Sequence, residues 1–320
     1  MNIVVFGLGA IGIVYAVSFK KSGHRVFGVT KEQYLKFFED KKFKIKGIFG
    51  EKEAVLDGVY KDCNNLVDKG IDLIIVSVKS FDTEPVVREL KKVVRDKTYI
   101  LLAQNGYGNY EIAAKELGSK HVILGRVIFG SKLIDRNFAE VTVIADDVII
   151  GQPDRAIDES ILDRISKIMC EAGIPTRYSD DVYSILWDKI IYNCALNPLG
   201  AILECNYGAL ASNKYSKEIM NKVIEEIFIV TKANGIKLKW NNHSEYIEHF
   251  YSKLIPPTKE HFPSMYYDLK NGKKTEIDAL NGAIVRLGNK KSISCPVNEV
   301  LWGLIKSKEE FLKEEKSGNF

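Results

Sequence analysis

Residues 1–12 read MNIVVFGLGAIG, and this stretch decides the fold. The apolar run 3–6 reads as a buried strand that leads into Gly7-x-Gly9-x-x-Gly12, with helix-forming residues after it. In such a loop Gly7 permits the tight turn, Gly9 lets the backbone approach a pyrophosphate, and Gly12 lets the helix pack on the strand. The helix N-terminus then offers unpaired N–H groups to the phosphates. The expected phosphate-binding segment is therefore Gly7, Leu8, Gly9, Ala10, Ile11 and Gly12. The motif is weak alone, but here Gly23-His24 stops the helix before a second strand at 25–29. The pattern predicts the first βαβ half of a dinucleotide-binding fold.

Residues 3–19 are nearly uncharged and invite a second reading, as a signal peptide or membrane helix. No Lys or Arg precedes the run, as a secretory n-region requires. Its glycine content also makes a poor bilayer helix. The remaining composition describes an ordinary water-soluble chain: 46% hydrophobic and 28% charged over 320 residues, long enough for two domains. The formal charge of +4 is small and dispersed, and the lysine-rich segments 36–46 and 306–316 are interleaved with acids. A solvated face explains them better than a nucleic-acid or membrane partner. Cys63, Cys170, Cys194, Cys205 and Cys295 form no CxxC pair, which points to reduced thiols in a cytoplasmic protein. The five histidines form no HExxH and stand near no paired cysteines, so no metal site is expected. Acid–base chemistry then falls to Lys, Glu or Asp.

Further strands are expected within 44–59 and at 71–78, 98–103, 122–129 and 139–151, with helices at 84–94, 111–117 and 161–172. The run IDLIIVSV at 71–78 has the continuous apolar character of a parallel strand covered on both faces. From about residue 179 the apolar spacing becomes helical, at 182–203, 216–234, 243–254, 264–270, 275–287 and 297–315. The predicted fold class is α/β: a Rossmann-type dinucleotide-binding domain over 1–178 and an all-α domain over 179–320.

The residue after the second strand chooses the cofactor, since an acid there grips a ribose 2′-OH and a cation accommodates a 2′-phosphate. Lys31 stands at that point and supports NADP, with Glu32 beside it; a lysine merely exposed on a loop is the alternative. Ligands of open α/β sheets bind at the carboxyl ends of strands. There Lys79 can meet cofactor phosphate or ribose. Asn105, on the turn Gln104-Asn105-Gly106, can touch nicotinamide and substrate, or serve only as a turn residue.

In the helical half, the segment 186–198 reads LWDKIIYNCALNP. Lys189, Asn193 and Asn197 recur at i, i+4 and i+8, forming one polar stripe on an otherwise apolar helix. Pro198 frees the carbonyl of Cys194 on the same helix. A lysine flanked by two amides suits a 2-oxo acid: the ammonium polarises the ketone and supplies a proton while the amides hold the other oxygens. Thr275-Glu-Ile-Asp278 reads as a capping box with Thr275 as N-cap and Asp278 reaching back. Glu276 then complements the helix dipole, and Ser264 after Pro263 reads as an N-cap.

Taken together, GLGAIG at 7–12, VKS at 78–80, QNGYGN at 104–109, WDKIIYNCALNPL at 187–199, PSMYYD at 263–268, TEIDALNG at 275–282 and CPVN at 295–298 resemble the ketopantoate reductase family over essentially the whole chain. The resemblance implies Lys189 as catalytic proton donor, Asn193, Asn197 and Ser264 on the substrate, Glu276 beside substrate and cofactor, Asn105 on the cofactor, and Lys31 on the 2′-phosphate. It implies NADPH-dependent reduction of ketopantoate to pantoate, a step toward coenzyme A, by a ketone reductase of the alcohol dehydrogenase class. The chain departs from the family pattern at Arg126, over 137–146 and at Tyr207, changes that bear on which 2-oxo acid is taken. The rival readings are the same chemistry on another 2-oxo acid and a non-catalytic NADP-binding sensor. Retention of Lys189, Glu276 and both asparagines argues against the sensor. The sequence leaves the oligomeric state open, a homodimer included.

Overall fold

The computed structural model describes residues 1–317 and divides into two compact units, Met1–Tyr183 and Ser184–Phe320. The first unit opens with β1 (Asn2–Phe6), α1 (Ala10–Lys21) and β2 (Arg25–Val29). After a 3-10 turn at Glu32–Phe37 come β3 (Lys42–Gly47), β4 (Lys52–Val55), β5 (Gly58–Tyr60) and β6 (Leu73–Val76). Then follow α2 (Thr83–Leu90), β7 (Tyr99–Leu102), α3 (Asn109–Leu117), β8 (Val122–Arg126), β9 (Phe129–Asp135) and β10 (Phe138–Ile144). The unit closes with β11 (Val148–Gly151), α4 (Glu159–Glu171) and β12 (Thr176–Tyr178).

Eight strands form one sheet in the order β12-β11-β8-β7-β6-β1-β2-β5. All its neighbours run parallel except β11 beside β8. The chain runs outward from β1 through β2 to β5, then returns to β6 on the other side of β1. That reversal puts the switch point, where such sheets bind ligands, at the carboxyl ends of β1 and β6.

A second sheet, β4-β3-β10-β9, covers the far side of α1. Every residue from Gly12 to Phe19 is buried as a result. The uncharged stretch that mimics a membrane helix is thus a helix sandwiched between two sheets, apolar all round because both faces are covered. Among the described residues no helix is long and apolar enough to cross a membrane.

Two predicted strands are broken. The run 122–129 ends as β8 at Arg126 and restarts as β9 at Phe129, which pairs with β10 in the second sheet. The run 139–151 likewise splits into β10 and β11, one in each sheet. Val127 between β8 and β9 is itself buried, so the apolar pattern carries no mark of the crossing.

The second unit comprises α5 (Val182–Leu203), whose first two residues belong to the first unit, with α6 (Tyr207–Ser212), α7 (Lys214–Ala233), α8 (His243–His249), α9 (Ser264–Lys270), α10 (Asn281–Asn289) and α11 (Pro296–Ser317). Trp187, Ile191, Cys194, Ala195 and Leu196 of α5 are fully buried, so α5 is the core helix of this unit. The expected helix at 243–254 is α8 followed by a π-helical turn at Phe250–Leu254. The expected helix at 275–287 is a 3-10 turn, Ile277–Ala279, and then α10.

Candidate active site

In the first unit the glycine loop is built as its residues dictate. Gly7 has φ +100°, a conformation that L side chains rarely adopt. A Cβ on Gly12 would lie 1.8 Å from the Gly7 carbonyl oxygen, so only glycine lets α1 start this close to β1. Ser77, just past β6, braces the turn by donating its hydroxyl to the Gly7 carbonyl at 2.8 Å. Gly9 differs from both: a Cβ there would meet nothing within 4 Å. It is the N-cap of α1 and supplies no side-chain cap, leaving the first amides of the helix to another acceptor. Open space before uncapped amides at a helix start fits a pyrophosphate. Leu8 is buried and packs toward Gly28 of β2, while Ala10 and Ile11 form the first turn of α1.

The loops after β6 and β7 are locked together by buried amides. Gln104 donates to the Val78 carbonyl at 3.1 Å and to the Thr83 hydroxyl at 2.9 Å. Thr83 donates in turn to Asn109 Oδ1 at 2.7 Å, and Asn109 Nδ2 donates to the Asn105 carbonyl at 2.9 Å. Lys79 and Asn105, both half-buried, therefore sit on neighbouring loops of fixed shape. Lys31 is exposed beyond β2, its ammonium 3.1 Å from Asp82. Glu32 turns to Lys61 at 2.9 Å.

In the second unit α5 carries Lys189, Asn193 and Asn197. Its rotation is set by Asp188, whose carboxylate accepts Trp240 Nε1 at 3.0 Å and whose carbonyl accepts the Tyr246 hydroxyl at 2.9 Å. Lys189 and Asn193 are half-buried and Asn197 is buried. The Tyr207 hydroxyl donates to Asn197 Oδ1 at 3.0 Å, turning the amide so that its NH₂ is the end left for a ligand oxygen. Burial pushes the Tyr207 phenol up and keeps it a neutral donor. Burial likewise pushes the Cys194 thiol up, away from a reactive thiolate.

Pro198 leaves the Cys194 carbonyl without its helical donor, and the structure supplies one: Asn281 Nδ2 donates to it at 3.1 Å. Asn281 Nδ2 also donates to Asn298 Oδ1 at 3.0 Å, and Asn298 Nδ2 to the Glu226 carboxylate at 2.7 Å. Glu226 accepts the Val297 and Asn298 amides as well, capping α11 from α7. The network ties α10 and α11 to α5 between Asn193 and Asn197. Ser264 is exposed at the first position of α9; Pro263, not Ser264, is its N-cap. Pro263 rests on α5, since a Cβ on Gly200 would lie 2.9 Å from Pro263 Cγ.

Only half of the capping box predicted at Thr275 is formed: its hydroxyl oxygen accepts the Ile277 amide at 3.2 Å, but Asp278 does not reach back to it. Both the amide and the hydroxyl of Thr275 donate to Glu309 of α11 at 2.7 Å. Asp278 instead accepts Trp302 Nε1 at 2.8 Å and Lys306 at 3.2 Å. Glu276 is consequently no first-turn surface acid; it is buried, on a segment pinned on one side by Glu309 and on the other by Asn281. The sequence does not mark Asp82 or Glu226, whose partners are distant in the chain; it carries Asn281 and Asn298 only inside the motifs at 275–282 and 295–298, and Tyr207 only as a departure from pattern.

Comparison with known proteins places these features in context. The sequence profile described as "Ketopantoate reductase PanE/ApbA" matches residues 3–155, and its C-terminal counterpart matches residues 181–309. A 2-dehydropantoate 2-reductase of Aquifex aeolicus is 48% identical over 97% of this chain and 98% of its own length. A crystal structure of a PanE/ApbA family ketopantoate reductase from Ralstonia eutropha JMP134 superposes with a TM-score of 0.85 at 27% identity, covering 98% of this chain and 100% of that one. The complex of D-mandelate dehydrogenase with NADH superposes with a TM-score of 0.83 at 25% identity, covering 98% and 100% of the two chains.

Proposed function

The chain belongs to the ketopantoate reductase family, and on that premise we propose that it reduces 2-dehydropantoate to pantoate with NADPH. The observation that carries the reading is the α5 stripe of Lys189, Asn193 and Asn197, held in place by Asp188, Asn281 and Tyr207.

Residues 7–12 would hold the pyrophosphate, Lys79 and Asn105 the ribose and nicotinamide end, and Lys31 the 2′-phosphate. When bound, NADPH supplies the hydride from C4 of its nicotinamide. The Lys189 ammonium polarises the C2 ketone and donates its proton to the oxygen as negative charge develops there, so hydride and proton together give the alcohol. The Asn197 NH₂, Asn193 and Ser264 bind the carboxylate and hydroxyl oxygens of the substrate. Glu276 would act through its carboxylate on the bound substrate and cofactor, as the family resemblance implies.

A homodimer of the protein accords with this chemistry. Its unpaired thiols suit the reducing cytoplasm, where we place it. Replacing Lys189 by Ala tests the role: kcat should fall at least about a hundredfold with NADPH affinity unchanged, because the ammonium acts on the transition state. Near-wild-type turnover would reduce the lysine to a structural part of α5.

A further inference from the structure

Lys31 and Asp82 come from loops on opposite sides of β1: Lys31 follows β2 and Asp82 follows β6, the two strands that flank β1 in the sheet. Their ion pair, 3.1 Å long, therefore spans the switch point beside the glycine loop. Asp82 also occupies the N-cap of α2, where an aspartate ordinarily accepts an amide of the first turn. It makes no such bond, its side chain being spent on Lys31. Glu32, the acid adjacent to Lys31 in sequence, is drawn off to Lys61. The carboxylate that faces the cofactor-selecting lysine is thus Asp82.

We propose that Asp82 is a specificity-determining residue that weakens the preference for NADPH over NADH, a proposal that rests on the dinucleotide-binding part of the function proposed above. A carboxylate at the 2′ position accepts a hydrogen bond from a ribose hydroxyl and repels a phosphate. A 2′-phosphate must displace Asp82 from Lys31 and then tolerate it nearby. A 2′-hydroxyl leaves the ion pair whole and gains an acceptor. Lys31 and Asp82 accordingly pull selectivity in opposite directions.

The test is direct titration of the purified full-length protein with NADPH and with NADH, followed by quenching of tryptophan fluorescence at fixed ionic strength. Asp82→Asn and Asp82→Ala should each raise the NADPH-to-NADH affinity ratio about five- to tenfold, the size of one partly screened charge contact. Lys31→Ala should lower the ratio, and high salt should shrink the Asp82 effect. Thermal melts should stay at the wild-type temperature, since no cap bond is lost. An unchanged ratio in both Asp82 variants, with dinucleotide still bound, overturns the proposal and leaves the reductase reading standing. Failure of the wild type to bind either dinucleotide overturns both.

Discussion

Glycines 9 and 12 lie three positions apart in one loop, yet they answer to different constraints, and substitution separates them. Gly12→Ala drives a methyl group into the Gly7 carbonyl, a contact of 1.8 Å that only a shift of backbone relieves. It should cost about 1–3 kcal/mol of stability and weaken NADPH binding with it. Gly9→Ala points a methyl group into open space. Thermal unfolding should show it as stable as the wild type, while an NADPH titration should show at least about a tenfold loss, because the methyl occupies the place of the phosphate. Wild-type affinity in Gly9→Ala would remove the pyrophosphate from this loop. The turn at Gly7 and the close packing at Gly12 were legible in the sequence because each follows from local geometry. The place of Lys31 just past β2 was legible for the same reason, but Asp82 was not: nothing near it in sequence marks it as the partner of Lys31.

At the scale of the element, α5 shows both how far a pattern reads and where it stops. The apolar spacing places the helix at 182–203, and the structure has α5 over Val182–Leu203. The proline inside it raised a definite question, the fate of the Cys194 carbonyl, whose answer lies 87 residues on at Asn281. The capping box is only half made for a related reason. The Thr275 hydroxyl oxygen accepts the Ile277 amide, but Glu309, 34 residues on, takes the Thr275 amide that Asp278 would have accepted. Local propensity is overridden wherever a buried charge from another helix competes for the same donors. The network makes a prediction of its own. Asn281→Ala leaves the Cys194 carbonyl and Asn298 Oδ1 buried without their donor, at about 1–3 kcal/mol for each unsatisfied group. Thermal unfolding should shift down, and KM for the 2-oxo acid should rise with NADPH affinity unchanged, since the loosened stretch of α5 carries Asn193 and Asn197. A variant with a lower melting temperature and wild-type KM would make the network purely structural.

For the molecule as a whole, the chemistry divides between the two units: the first presents the groups suited to a dinucleotide, the second those suited to a 2-oxo acid. The division into an α/β part and a helical part follows from the change of apolar period near residue 179. The second sheet was harder to read, because its strands interrupt the chain order of the first and share its apolar character. Arg126 illustrates the substrate question left at this scale. It is buried at the end of β8, and it pairs with Asp146 at 2.6 Å. That partner lies within a second departure from pattern, 137–146, so two of the three departures form one feature. The central claim is that these two sets of residues act together on ketopantoate. The most direct measurement is NADPH consumption by the wild-type protein with ketopantoate, pyruvate and phenylglyoxylate, with the product identified by mass. The account predicts one NADPH consumed for each pantoate formed, at a kcat/KM for ketopantoate above that for either of the other acids; NADPH left unconsumed with ketopantoate, or faster turnover of phenylglyoxylate, would contradict it.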